Sequence, residues 1–522
     1  MRSPDDGAVL AKRLRAAAEQ WPDKVAFQDG HVKATYRELF YHADLYASAL
    51  GHGSRALEGT RVAVVARDGV EAYAALLACL LHQAVFIPVN PEFALERNHD
   101  VLSRSDPHFV VTCEEHLVTA LAITGSRPLL NLSTRTWVSR SEQVEVSDPT
   151  DAAYLLFTSG STGGPKGVPI RPGNVLSMID GMQSLYPLLS HDRVAQTFEL
   201  TFDLSMYSTI GAWLSGASVV VAGDLDRLDP CAFVDANQIT VWFSVPSVAV
   251  NAQNLGALGI GVLESLRLSL FCGEALPYDI AQLWARAAPN SVCINLYGPT
   301  EATIACSHHP VDRSSASHGL VPIGVPLPGV KFAVLGITGD VVPNGDGSPG
   351  ELLVGGQQVF EGYWRDQWAS ERAFHQVDDH GITTQWYRTG DRVKQMTDGS
   401  WLYIGRLDDQ VQVMGHRVEV REVERATADC FGLKASDVVV VPRANDHGTV
   451  DTLVAWLVTD QPPQNAAQRL TTMLPTYMIP SDFRAVPRFP LNSNGKIDRK
   501  ILTTMAKRND TVSQALTAEV PK

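Results

Sequence analysis

The chain is 522 residues long, with 43 Lys and Arg against 57 Asp and Glu, a net charge of −14 and an apolar share of 45%. At about 150 residues per domain this fits three or four globular subdomains, and it excludes a disordered or collagen-like chain. Basic residues occur in no run longer than a pair, so nucleic acid is not an expected partner, because a phosphate backbone demands a concentrated basic face.

Seven cysteines (Cys79, Cys113, Cys231, Cys272, Cys293, Cys306 and Cys430) are widely spread without a C-x-x-C pair. That rules out a zinc ribbon or disulfide framework and predicts free thiols in a reducing, cytoplasmic compartment. The opening MRSPDDGAVLAKRLRAAAEQ lacks the apolar run of a secretory signal. The longest apolar stretch, residues 73–89, is interrupted by His82 and Gln83, so no membrane partner is expected.

RVAVVA at 61–66, EAYAALLACLLH at 71–82 and AVFIPV at 84–89 alternate strand, helix and strand, the rhythm of βαβ units on a parallel sheet. Further strand-like runs are HFVVTC at 108–113, ASVVVA at 217–222, ITVWFSV at 239–245, LRLSLFCG at 266–273 and SVCINLYG at 291–298. They share no fixed period, which excludes a solenoid. Beyond about residue 320, Gly and Pro recur every few residues, predicting β structure with tight turns. After GRLDDQ at 405–410 comes an α+β segment of about a hundred residues. It reads as helix VREVERATADCFG, strands ASDVVVVPRA and DTLVAWLVT, and helix QNAAQRLTTMLP. The polar C-terminal end is expected to be frayed.

The most specific stretch is YLLFTSGSTGGPKGVPI at 154–170, an apolar strand entering a loop with four glycines, four hydroxyls and one lysine. Such a loop lets backbone N–H groups, hydroxyls and an ammonium surround a polyphosphate. Pro165 before Lys166 distinguishes it from a Walker A loop. TSGSTGGPKG closely resembles the phosphate-loop signature of the adenylate-forming superfamily of acyl-CoA synthetases, luciferases and peptide-synthetase adenylation domains. FDLS at 202–205, NLYGPTEA at 295–302, GELLVGG at 350–356, YRTGD at 387–391, GRLDDQVQVMGHRVEVREVE at 405–424 and NSNGKIDR at 492–499 follow in family order.

The resemblance implies an α/β fold, with a large N-terminal domain of αβαβα-type subdomains plus a β-barrel-like subdomain, and a small mobile α+β C-terminal domain. The expected boundaries are 1–407 for the core, 408–510 for the lid with a hinge at Asp408, and 511–522 for a disordered tail. It also implies ATP and Mg²⁺ as cofactors. Thr158, Ser159, Gly160, Ser161, Thr162 and Lys166 would hold phosphates, and Gly273 and Glu274 would edge the nucleotide pocket. Tyr297, beside Gly298, can stack on adenine; Thr300 offers a hydroxyl to phosphate and Glu301 a hard oxygen to the metal. Asp391 suits the ribose hydroxyls, with Arg406 beside ribose or phosphate. Lys496 is assigned to catalysis with Thr300 and Glu301, since an ammonium bridging carboxylate and α-phosphate stabilises an in-line transition state. Gln412 and Met414 stand where the family usually has Lys and often Arg.

Asp203 decides the substrate class. A carboxylate in an apolar pocket is costly unless paired, so it predicts a substrate ammonium; the alternative is a helix N-cap. By resemblance the other pocket positions are Leu204, Tyr207, Phe243, Leu270, Cys272, Leu296, Ile304 and Ala305. None is charged, so a small apolar amino acid is expected. The pattern is similar to free-standing prolyl-AMP ligases, with alanine, another small amino acid or a β-amino acid as alternatives. The expected acceptor is a stand-alone phosphopantetheinylated carrier protein, with coenzyme A as the lesser alternative, and the protein is expected to be a monomer.

Overall fold

A computed structural model describes residues 6–508, apart from 52–56, 140–149, 161–163, 314–317, 337, 343–344, 346, 380–381, 446, 448 and 492–496. The chain divides into two compact units. The first comprises Met1–Glu92, Asn98–Phe157 and Lys166–Leu407; the second comprises Phe93–Arg97, Thr158–Pro165 and Asp408–Lys522.

In the first unit a nine-stranded sheet contains six parallel strands in the order Val292–Tyr297, Leu268–Phe271, Val241–Ser244, Arg193–Gln196, Ser218–Val221 and Val25–Asp29. SVVV, VWFS and LSLF are apolar on both faces because both faces are covered, the usual condition for parallel strands. A seven-stranded sheet runs Thr136–Ser139, Leu129–Asn131, Phe109–Thr112, Arg61–Val65, Val85–Val89, Tyr154–Thr158, Lys166–Ile170. Helix Val70–Leu81 packs against strands of both sheets, and every residue from Ala72 to Leu81 is buried. That explains a helix apolar all round rather than on one stripe. The β-rich part that follows is a six-stranded antiparallel sheet built around the long strand Ile382–Gln395.

The second unit is a small α+β body. Hairpin Gln410–Val413/His416–Glu419 turns through Met414 (φ 48°) and Gly415 (φ 83°), the two positive-φ positions of a type I′ turn. Gln412 pairs with Arg417 across it. Strand Val438–Ala444 then pairs antiparallel with Val450–Val458, which pairs parallel with Asp482–Val486. Val438 and Val440 join one apolar cluster with Val423 of helix Val420–Phe431, while Val439 and Val441 join another with Leu502 and Ala506 of helix Arg499–Arg508. The predicted helix at 464–475 is shorter than expected, covering only Ala466–Leu470. The Thr471 and Thr472 hydroxyls fold back onto the Gln468 and Arg469 carbonyls, competing with continuation of the helix. No helix among the described residues is long and apolar enough to cross a membrane.

Candidate active site

Phe243, Leu270, Cys272, Gly273, Leu296 and Tyr297 lie at or just beyond the C-terminal ends of the central parallel strands, where open α/β sheets place their ligands. Phe243 and Leu270 are register partners on adjacent strands, as are Leu270 and Ile294. Cys272 and Leu296 extend the same rows beyond the paired residues. Leu204, Tyr207, Phe243, Leu270, Cys272, Leu296, Ile304 and Ala305 all belong to one buried apolar cluster. The Tyr207 and Phe243 rings meet edge to face, 5.8 Å apart at 87°.

Tyr207 lies within an unusual helix. Leu204–Met206 is α-helical, Tyr207–Gly211 is a π-helical turn, and Ala212–Leu214 returns to α. Single π turns of this kind recur at functional sites. Asp203 stands directly before this helix and is 4% exposed. Burial raises its carboxyl pKa from 3.8 to about 7, the nearby Glu301 charge adds to the rise, and a hydrogen bond from the Thr300 hydroxyl opposes it. Burial, followed by the charge of Asp203, likewise pushes the Cys272 thiol up.

A second cluster surrounds Asp391. Tyr297 donates its phenol proton to Oδ2 at 2.5 Å, and Arg406 donates to Oδ1 at 2.9 Å and to the Thr389 carbonyl at 2.8 Å. Asp391 and Arg406 face each other on paired strands, which fixes this geometry. Burial and the Asp391 charge hold the Tyr297 phenol far above its ordinary pKa, so it remains a donor. Gly298 packs against the chain ahead: a Cβ there would lie 2.8 Å from the Ile304 oxygen. Glu301 lies in the 3₁₀ turn Thr300–Ala302, is 1% exposed, and accepts the Tyr363 hydroxyl at 2.8 Å on Oε1. The Lys166 ammonium lies 5.3 Å from the centre of the same Tyr363 ring, within cation–π reach.

Residues 14–364 match the family of AMP-binding enzymes. The chain belongs to this family. It is 29% identical to the anguibactin system regulator of Vibrio anguillarum, over 97% of this chain and 49% of that protein. It is 32% identical to tyrocidine synthase 3 of Brevibacillus parabrevis, over 95% of this chain and 8% of that protein. The chain thus spans about half the length of the first relative and a small part of the second. Among solved structures it is similar to the Vibrio cholerae adenylation domain AlmE in complex with glycyl-adenosine-5'-phosphate. That match has a TM-score of 0.81 at 28% identity and covers 95% of this chain and 97% of AlmE.

The remaining expected site residues of this AMP-binding enzyme are placed as follows. Thr158 ends strand Tyr154–Thr158, with Ser159 and Gly160 directly after it, and Lys166 begins the next strand. Gly273 adopts φ 90°, and Glu274 accepts the Ser247 N–H at 2.8 Å in the first turn of helix Pro246–Asn254. Asp408 accepts the Gln410 N–H at 3.1 Å, an Asx turn. Ser161, Thr162 and Lys496 lie outside the described residues, as does the expected tail at 511–522.

Sequence reasoning missed Tyr363, although EGYW at 361–364 lies only four residues beyond GELLVGG and its aromatic pair was a usable signal. It also missed the backbone at Thr303 (φ 59°) and Ile304 (φ 69°). Positive φ in a β-branched residue is a genuine outlier, and such strain costs about 1–3 kcal/mol per residue. A concavity of about 830 Å³ opens elsewhere on the first unit, bordered by Asp6, Gln83, Arg171 and Asp180, and contains none of the predicted site residues. Three of its charges are already engaged, Arg171 with Asp151 and with Glu361, and Asp180 with Arg13.

Proposed function

We propose that this protein is a ligase that uses ATP and Mg²⁺ to convert a small apolar amino acid, L-proline first among the candidates, to its aminoacyl-AMP with release of pyrophosphate. The aminoacyl group then passes to the phosphopantetheine thiol of a separate carrier protein. The observation that carries the reading is Asp203, a buried carboxyl in an apolar cluster with its pKa raised to about 7. Among the described residues, no cation is one of the groups that set this pKa. An incoming ammonium supplies the counter-charge, whereas a fatty or aryl acid would leave the carboxylate uncompensated. AlmE, similar over nearly its whole length, was solved with a glycyl adenylate, which supports a small amino acid.

In this reading Asp203 holds the ammonium, and the apolar cluster limits the side chain. Tyr297, Asp391 and Arg406 seat the nucleoside, and Thr158 to Thr162 with Lys166 seat the phosphates. Glu301 and Thr300 form a hard-oxygen pair that would hold a Mg²⁺ ion, which would supply positive charge against the phosphates. Lys496 stabilises the charge that develops as the substrate carboxylate attacks the α-phosphorus and the bond to pyrophosphate breaks. The core is assigned to 1–407 and the lid to 408–510, with Asp408 as hinge, in a monomeric cytoplasmic enzyme.

The Tyr207 hydroxyl is buried and has no hydrogen-bond partner among the described residues. That favours a second reading, a small side chain bearing a hydroxyl or thiol that Tyr207 could engage. ATP–pyrophosphate exchange across the twenty amino acids separates the two: proline and alanine lead in the first, serine, cysteine or threonine in the second. Exchange with fatty or aryl acids alone would overturn both.

A further inference from the structure

We propose that Gln358 is a positioning residue that fixes the pocket wall Ile304–Ala305 and thereby sets affinity and selectivity for the amino acid. The proposal rests on the reading that this wall meets the substrate side chain.

The wall is held in a conformation that its own residues disfavour. The Ala305 N–H bonds the Thr303 carbonyl at 2.8 Å, closing a three-residue γ-turn around Ile304 at φ 69°. The positive-φ form of the γ-turn is the rare, strained one, and a β-branched side chain at its centre makes it worse. Something outside the turn must therefore hold it. Gln358 is 0% exposed, and its side-chain nitrogen donates to the Ala305 carbonyl at 2.7 Å and the Ala302 carbonyl at 3.5 Å, spanning the turn. Both neighbours are acceptors, so the amide orientation is fixed by chemistry. The Gln358 backbone carbonyl also accepts the Thr303 hydroxyl at 2.5 Å.

Two details separate this clamp from ordinary packing. The Gln358 side-chain oxygen is buried without a partner among the described residues, so the amide is retained for its donors at the expense of its acceptor. The clamped segment also begins directly after Thr300 and Glu301, which belong to the same short turn as Ala302. Loosening the clamp frees Ile304 and Ala305 to relax toward ordinary backbone and enlarges or reshapes the pocket. The Asp391 cluster proposed to seat the nucleoside is held by other residues, Tyr297 and Arg406.

The test is ATP–pyrophosphate exchange by the full-length protein, comparing wild type with Gln358→Met, which removes the donors at similar volume, and Gln358→Glu, which turns a carboxylate toward two carbonyls. The expected result is an amino-acid KM raised about tenfold or more, an ATP KM within about twofold of wild type, and relaxed discrimination against larger side chains. Thr303→Val removes one bond from the same clamp and shifts the amino-acid KM in the same direction; it carries the test if the Gln358 variants do not fold. An unchanged amino-acid KM in folded variants, or an equal rise in both KM values, overturns the assignment. Wild-type protein that exchanges with no amino acid instead refutes the amino-acid reading, and the assigned role of the wall falls with it.

Discussion

Replacing Asp203 with Asn separates the cost of a buried charge from its use. In the substrate-free protein the carboxyl has a pKa of about 7 against 3.8 for the ordinary group, because burial and the charge of Glu301 disfavour ionisation. A raised carboxyl pKa favours the folded state when protonated. That contribution is full below pH 3.8 and is lost as pH rises through about 7. Between pH 3.8 and about 7 each unit costs about 1.4 kcal/mol, and above 7 the cost stays level, so at pH 8 an unpaired Asp203 weakens the empty protein by about 4 kcal/mol. Asp203→Asn removes this cost and still accepts the Thr300 hydroxyl. The empty variant should therefore melt above the wild-type temperature at pH 8, and that advantage should shrink as pH falls below 7 and vanish near pH 4. Catalysis moves the other way. Losing one partner of a buried charge pair costs about 2–5 kcal/mol, so kcat/KM for the amino acid should fall roughly 30- to 4,000-fold, with ATP KM little changed. In wild type, binding an ammonium requires ionised Asp203, so the amino-acid KM should rise as pH falls below about 7 and level off above it. Exchange kinetics over pH 5.5–8.5 and differential scanning fluorimetry read both halves. An Asn variant within about threefold of wild-type kcat/KM, or one that melts lower at pH 8, would refute the reasoning.

Two other substitutions test neighbouring geometry. Tyr363→Phe removes only the hydroxyl that donates to Glu301 at 2.8 Å. At a net value of about 0.5–1.5 kcal/mol, the half-saturating Mg²⁺ concentration for exchange should rise roughly two- to twelvefold with an unchanged melting temperature. Gly298→Ala places a Cβ 2.8 Å from both the Ala305 Cα and the Ile304 oxygen, and backbone cannot step aside as a side chain can. A destabilisation of about 1–3 kcal/mol is expected, visible as a lower melting temperature together with a raised amino-acid KM.

The scaffold was legible because its signals are local. Runs such as VWFS and LSLF report strands buried on both faces, and ten consecutive buried residues in helix Val70–Leu81 explain the unbroken apolar pattern there. Asp203 was legible from its chemistry, a charge among apolar neighbours. What the sequence did not disclose is non-local. Tyr363 reaches Glu301 across 62 positions and Gln358 reaches Ala305 across 53, and neither spacing follows from a strand or helix period. Backbone strain at Ile304 is equally silent, because isoleucine is ordinarily a sign of unstrained strand. The shortened helix Ala466–Leu470 shows the same limit on a small scale, where two threonine hydroxyls outweighed an apolar pattern.

The π turn Tyr207–Gly211 has a consequence for redesign of the pocket. A π turn wedges an additional residue into an α-helix, so the side chains before and after it are phased differently from those of an unbroken helix. Tyr207 faces Phe243 by virtue of that phase, and not through its identity alone. Substitutions within the turn can let it anneal to α, rotating the lining by roughly a hundred degrees per residue of slip. Pocket engineering here is therefore a problem of register as well as of side-chain choice: a substitution set transplanted from a regular helix would present different faces, and a single deletion within the turn would recast the cavity more deeply than any one exchange along its wall.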